Sequence, residues 1–154
     1  MREAEKKIWE RQALGAECAR LRELGRKIVF TNGAFDLMHA GHATYLEFAR
    51  RQGDVLIAGV NSDASVKRQG KGPERPLNDQ DSRAKVLAAL RLVDAVVIFD
   101  GDTPLALIEA IVPDVLVKGG NWAEKDIVGG DAVRKWGGTV AVIPEIKGAS
   151  TTNI

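Results

Sequence analysis

The sequence predicts an α/β fold built on a doubly wound, parallel, five-stranded sheet, and three features carry that expectation. Short apolar runs alternate with helix-length amphipathic stretches along the 154 residues, which is the pattern of strand–helix–strand units. The runs are apolar on both faces, Asp54-Val-Leu-Ile-Ala-Gly-Val60 most clearly, as strands buried between two helix layers are. Gly and Pro fall between the runs, and right-handed crossovers then wind the helices onto both faces. The length suits one domain over 1–154, with an N-terminal helix over 1–25 and the core over 26–154.

Residues 3–24 read as a helix, with Ile8, Leu14, Cys18, Leu21 and Leu24 on its apolar side and Gly25 as its stop. Its charged outer face suits packing on the outside of the core or on a second subunit. Ile28-Val-Phe30 is the first strand; a turn and a helix from about Gly41 to Arg51 follow, then the second strand over 54–60. Ser62 caps a short helix through Lys67, and Gln69-Gly-Lys-Gly-Pro-Glu-Arg-Pro76 is a loop, because its glycines and prolines cannot continue a helix. Asp79 or Asp81 caps the next helix, which reaches about Leu90 with Val86, Leu87 and Leu90 on its apolar side. Asp94-Ala-Val-Val-Ile-Phe99 is a strand, Thr103-Pro104 a helix entry, and Val112-Pro113 that helix's end. Val115-Leu-Val-Lys118, a helix near Gly130–Trp136, and Thr139-Val-Ala-Val-Ile143 complete the order. Ligands of such sheets sit beyond the carboxyl ends of the strands. Asn32–His42, Asn61–Lys67, Lys118–Trp122 and Pro144–Thr152 all follow strands and are expected to converge on that rim.

Composition narrows the function. A formal net charge of +1 gives no electrostatic footing for a nucleic acid or a membrane surface. The single cysteine, Cys18, excludes an internal disulfide framework. The charged start leads into no apolar stretch, and no run approaches a membrane span, so a cytoplasmic setting is expected.

Both histidines of the chain fall in Lys27-Ile-Val-Phe-Thr-Asn-Gly-Ala-Phe-Asp-Leu-Met-His-Ala-Gly-His42. His39 and His42, three apart, share the face of a helix start, where free N–H groups and the helix dipole favour an anion. Gly41 lets a phosphate approach the backbone, and two imidazole donors suit charge developing on a phosphoryl group. Asn32 and Gly33 supply the turn, and Phe35 packs either beside a nucleotide or in the core. Zinc is a competing reading, but Asp36 is the one nearby carboxylate and Cys18 lies on a distant helix. Two polar helix-entry residues without a ligand are the other.

Thr31-Asn-Gly-Ala-Phe-Asp36 followed by His39-Ala-Gly-His42 resembles the signature of the cytidylyltransferase-like nucleotidyltransferases. Asn61-Ser-Asp-Ala-Ser-Val-Lys-Arg68, Lys71-Gly-Pro-Glu-Arg-Pro76, Val93-Asp-Ala-Val-Val97, Pro113-Asp-Val-Leu-Val-Lys-Gly-Gly120 and Ser150-Thr-Thr152 resemble, in order, segments of one branch. That branch is the D-glycero-β-D-manno-heptose 1-phosphate adenylyltransferases, free-standing or as the C-terminal domain of a bifunctional enzyme. The resemblance implies a Rossmann-like fold and transfer of AMP from ATP to heptose 1-phosphate, giving ADP-heptose and pyrophosphate for lipopolysaccharide synthesis. It implies His39, His42 and Lys67 as catalytic residues, and Thr31, Asn32, Gly33, Phe35, Gly41, Lys118, Ser150, Thr151 and Thr152 around the nucleotide. Asp36, Arg75, Asn121 and Trp122 would face the sugar phosphate. Mg²⁺ would ride on the ATP phosphates with Asp36 as the nearest carboxylate, and a homodimer is expected.

Lys67 alone would read as a solvated helix-end lysine, Arg75 as an exposed loop cation or a phosphate contact, and Arg83 as a salt-bridge or ligand residue. Asp114 reads as a structural turn residue. No GxxxxGK[ST] and no GxGxxG after a strand occurs, which removes the P-loop and dinucleotide alternatives. A glycerol-3-phosphate cytidylyltransferase and a non-catalytic nucleotide-binding module are the remaining alternatives.

Overall fold

The computed structural model describes residues 3–70, 72–120 and 126–144. Its strands are β1 (Ile28–Gly33), β2 (Val55–Asn61), β3 (Ala95–Phe99), β4 (Val115–Gly119) and β5 (Thr139–Ile143), in one sheet of order β3-β2-β1-β4-β5. Every pairing is parallel. The helices are α1 (Ala4–Lys7), α2 (Leu14–Glu23), α3 (Ala40–Arg50), α4 (Asp63–Arg68), α5 (Gln80–Ala89), α6 (Leu105–Ile111) and α7 (Gly130–Lys135). The predicted doubly wound sheet is therefore present, with boundaries within a few residues of those expected.

Two apolar layers sandwich the sheet, because each buried strand sends alternate residues to opposite faces. Ile28, Phe30, Ile57, Val97 and Leu116 meet Leu14, Cys18, Leu21, Leu107, Ile108 and Ile111 of α2 and α6 on one face. Val29, Leu56, Ala58, Val60, Val96 and Val117 meet Leu46 and Ala49 of α3 and Ala84, Leu87 and Ala88 of α5 on the other. On α5, Val86 is 51% exposed, contrary to expectation, and Arg83 is 1% exposed. The buried face runs through 83, 84, 87 and 88, the adjacent stripe of the same helix.

The single N-terminal helix is not formed. α1 stops at Lys7, Ile8 pairs with Val96 as an isolated parallel bridge, and the Trp9 N–H donates to the Val96 carbonyl at 2.8 Å. A 3-10 turn over Arg11–Ala13 then leads into α2. The reason is tertiary: β3 is an edge strand, and crossing it satisfies backbone groups that a continuous helix would leave open. Lys7 fastens the crossing by donating to the Leu90 and Val93 carbonyls at 3.1 and 2.9 Å. The apolar side of α2 is consumed by the chain's own core, so the helix supplies no argument for a second subunit.

Strand order reverses between β1 and β4, and the pairing opens there. β1 pairs with β2 over six residues, from Ile28↔Val55 to Gly33↔Val60, but with β4 only at Val29↔Val115 and Phe30↔Leu116. The β1/β4 pairing ends at Phe30, at the switch in strand order whose carboxyl-end crevice is where such sheets bind ligands.

Candidate active site

The chain leaves β1 into that crevice. Asn32 and Gly33 are half-buried at the strand's end. Phe35 is 7% exposed and sits at φ 50°, a left-handed conformation that bulky residues adopt only under constraint. Its ring packs 5.9 Å from that of His42, and a Cβ on Gly33 would lie 3.2 Å from it. Phe35 thus belongs to the wall of the core beside the histidines.

His39 caps α3 from an extended conformation. The Gly41 N–H donates to His39 Nδ1 at 3.0 Å, and the His39 N–H donates to His42 Nδ1 at 3.3 Å. An imidazole that accepts at Nδ1 must carry its proton at Nε2 when neutral. Both rings therefore turn an Nε2–H donor away from the backbone, with their centroids 4.1 Å apart. Burial, reinforced by the neighbouring His39, holds the His42 pKa below its ordinary value. His42 is a neutral donor near pH 7.

The floor of the crevice is Tyr45, three residues past His42 on α3. Its hydroxyl bonds the Thr31 hydroxyl and donates to the Val117 carbonyl at 3.1 Å, bridging β1 and β4 where their backbone pairing has ended. Burial pushes its pKa up to about 12, so it stays protonated. Gly119 is required beneath it: a Cβ there would meet the Tyr45 ring at 2.9 Å. Thr31, expected at the nucleotide, is fully buried with its hydroxyl committed to this bridge.

Asp36 is also committed. Its carboxylate accepts from the Leu77 N–H at 2.7 Å, the Asn78 N–H at 2.9 Å and Arg75 Nη1 at 3.1 Å. Burial would raise its pKa, but these donors more than offset that and hold it below the usual carboxylate range. The structure places Asp36 and Arg75 side by side, as a clasp on the loop before α5. Among the described residues no group of three or more His, Cys, Asp or Glu side chains is arranged to hold a metal.

Lys67 is exposed on the last turn of α4. That helix is anchored at its start by the Ser62 cap on the Ser65 N–H, 3.1 Å, and at its end by Arg68 Nε on Asp102, 2.6 Å. Lys118 is half-buried near the end of β4. Asn121, Trp122, Ser150, Thr151 and Thr152 lie outside the described residues. Asp114 is structural, accepting the Ile28 N–H at 2.8 Å.

Tyr45, beside the site, was not singled out from the sequence; its one signal was its i+3 spacing from His42. Arg83, read from the sequence as a salt-bridge or ligand residue, forms the salt bridge, to Asp63 at 2.7 Å.

The cytidylyltransferase-like family model matches residues 30–153. A relative from Magnetococcus marinus named bifunctional protein HldE is 58% identical over 138 residues, covering 90% of this chain and 28% of its own length. The protein of the same name from Trichlorobacter lovleyi is 53% identical over 153 residues, covering 99% of this chain and 31% of its own. The chain thus spans under a third of the length of these curated relatives. The crystal structure of a lipopolysaccharide core biosynthesis protein from Thermoplasma volcanium superposes with a TM-score of 0.66 at 26% identity, covering 80% of this chain and 98% of that one.

Proposed function

The chain belongs to the cytidylyltransferase-like family, and on that premise we propose that it is an adenylyltransferase moving AMP from ATP to D-glycero-β-D-manno-heptose 1-phosphate. The observation that carries the reading is the pair of imidazoles with Nδ1 capped by backbone N–H groups and Nε2–H turned outward, at the start of α3 beside the β1/β4 crevice. The relatives named bifunctional protein HldE support the heptose branch.

In this reaction an oxygen of the sugar phosphate attacks the α-phosphorus of ATP, and the bond from that phosphorus to the bridging oxygen of pyrophosphate breaks. The nucleophile is already an anion, so no general base is needed. A site built of donors, with Asp36 occupied in a clasp, suits that demand. His39 and His42 would donate Nε2–H bonds to the α-phosphate, where charge concentrates in the transition state. They are donors already oriented by the backbone, so they need not reorganise as the charge develops. Lys67 would meet the phosphates as a mobile point charge. Asn32, Gly33, Phe35, Gly41, Lys118, Ser150, Thr151 and Thr152 would surround the nucleotide, with Thr31 holding the floor through Tyr45. Arg75, Asn121 and Trp122 would face the sugar phosphate, and Asp36 would act there by presenting Arg75. Mg²⁺ would come with ATP as part of the substrate, held on the ATP phosphates rather than by the protein, and would supply charge neutralisation for the pyrophosphate leaving group. The setting is cytoplasmic and the assembly a homodimer. No helix among the described residues is long and apolar enough to cross a membrane.

The test is pyrophosphate release with Mg²⁺, crossing ATP or CTP with heptose 1-phosphate or glycerol 3-phosphate. Turnover with ATP and heptose 1-phosphate alone is expected. Turnover with CTP and glycerol 3-phosphate alone would leave the histidine roles and overturn the substrate. Silence in all four mixtures with ATP still bound would overturn the enzyme reading.

A further inference from the structure

Arg83 is 1% exposed, the largest fully buried side chain among the described residues. Its guanidinium donates from Nη1 to the Ala34 carbonyl at 2.8 Å and the Asn61 carbonyl at 2.7 Å, and from Nε to the Asn78 carbonyl at 2.9 Å. Nη2 pairs with Asp63 Oδ1 at 2.7 Å. These partners come from three separate segments: the turn after β1, the junction of β2 and α4, and the loop before α5. One buried cation thus ties together the histidine turn, the helix bearing Lys67 and the loop bearing Arg75.

Burying a charge is costly unless every donor finds a partner in good geometry. Carbonyls are weak reasons to bury a guanidinium for stability alone, since an apolar side chain would fill the space at less cost. Their value lies in what they fix. Ala34 precedes Phe35, whose φ of 50° is strained and whose ring packs 5.9 Å from His42. Strained backbone persists only where its surroundings over-determine it. The Ala34 carbonyl is held on one side by Arg83, and Asp36 on the other by Leu77, Asn78 and Arg75.

We infer that Arg83 is a positioning residue for phosphoryl transfer: through the Ala34 carbonyl and Phe35 it sets the orientation of His42, and it couples that orientation to the loop carrying Arg75. The turnover arm of the test rests on the adenylyltransfer reading; the spectroscopic arm does not. A misplacement of about 1 Å in a catalytic group can cost on the order of 100-fold. Lysine keeps the charge but not the planar fork that reaches Ala34, Asn61, Asn78 and Asp63 together.

The experiment uses Arg83→Lys in the full chain, with two readouts. Steady-state kinetics should show kcat reduced roughly 10- to 100-fold with KM for both substrates within about threefold. The ring-nitrogen NMR spectrum at a pH where both imidazoles are neutral is simple, because the chain has 2 histidines; His39→Asn assigns it. Wild type should show both rings as the Nε2–H tautomer, and Arg83→Lys should move His42 to a tautomer mixture. Unchanged kcat, a rise in KM for the sugar phosphate alone, or an unchanged His42 spectrum would each overturn the inference, the KM outcome by making Arg83 a ligand contact. If Arg83→Lys fails to fold, Asp63→Asn withdraws only the ion pair; it should shift kcat and the spectrum in the same direction by less, and no shift in either would overturn the proposal. If the wild type transfers no AMP, the functional reading fails by itself and the His42 spectrum still decides the role of Arg83.

Discussion

Aspartates at the two ends of the sheet do different work. At the amino rim Asp54, Asp94 and Asp114 each stand one residue before a strand and each accept one N–H from the start of a neighbouring strand: Lys27, Leu56 and Ile28, all at 2.8 Å. At the carboxyl rim Asp36 accepts from residues 75, 77 and 78, and Asp63 accepts from Arg83. The amino-rim carboxylates close a backbone requirement created by parallel pairing, because the first N–H of a strand has no partner in the ladder. The carboxyl-rim carboxylates hold loops at fixed distances around two imidazoles. The first set serves stability alone, whereas the second also fixes the geometry of the loops it holds, so mutations at the two rims should separate the two properties.

The largest effect is expected at the histidines. His39→Ala or His42→Ala should lower kcat by about 100- to 1,000-fold, the cost of removing one transition-state donor. ATP affinity, read by calorimetry, should fall far less. The folded state should lose only about 1 kcal/mol, the usual cost of a cap, for His39→Ala. Equal losses in turnover and ATP affinity would erase the distinction between the rims.

Asp114→Ala should invert that result. It leaves the fully buried Ile28 with an unpaired N–H, costing about 1–3 kcal/mol in urea denaturation. Its kcat should stay within about twofold of wild type, since no transition-state contact is lost. A drop in kcat comparable to that of the histidine variants would show that the amino rim also sets site geometry.

Asp36→Asn sharpens the comparison through pH. The folded carboxyl titrates below its unfolded value, so as pH falls the unfolded chain takes up the proton first. The stabilisation is thus full above an unfolded pKa of about 4 and is lost as pH drops through the folded value. The variant should be less stable than wild type at neutral pH and should flatten the acid-side decline. His42 acts in the same sense at higher pH: its lowered pKa contributes stability present above about pH 6.5 and lost on acidification. An Asp36→Asn acid limb identical to that of wild type would mean that the clasp contributes nothing measurable.

Tyr45→Phe is the smallest perturbation. It removes the hydroxyl bridging Thr31 and Val117 while keeping the ring over Gly119. A loss of about 0.5–1.5 kcal/mol is expected, the net worth of an ordinary internal hydrogen bond. An accompanying rise in KM for ATP would show that the crevice floor touches the nucleotide.

The fold class, the strand order along the chain, the Ser62 and Asp79 caps and the placing of His39-Ala-Gly-His42 at a helix start are legible in the sequence, because each depends on residues within about one helical turn of one another. Other features were decided only by the tertiary structure. The break at Ile8 exists because the β3 edge needs covering; the residues around it are ordinary helix formers. Arg83 is buried because carbonyls at 34, 61 and 78 and the carboxylate of Asp63 come together only when β1, β2 and α5 pack. Asp36 reads as a free carboxylate near a metal or sugar until the loop at 75–78 closes on it. The difference is one of range. Propensity, capping and alternation are local and are written in short spans, whereas the partner of a buried charge or a clasping carboxylate is chosen by which distant backbone groups the sheet leaves unpaired beside it.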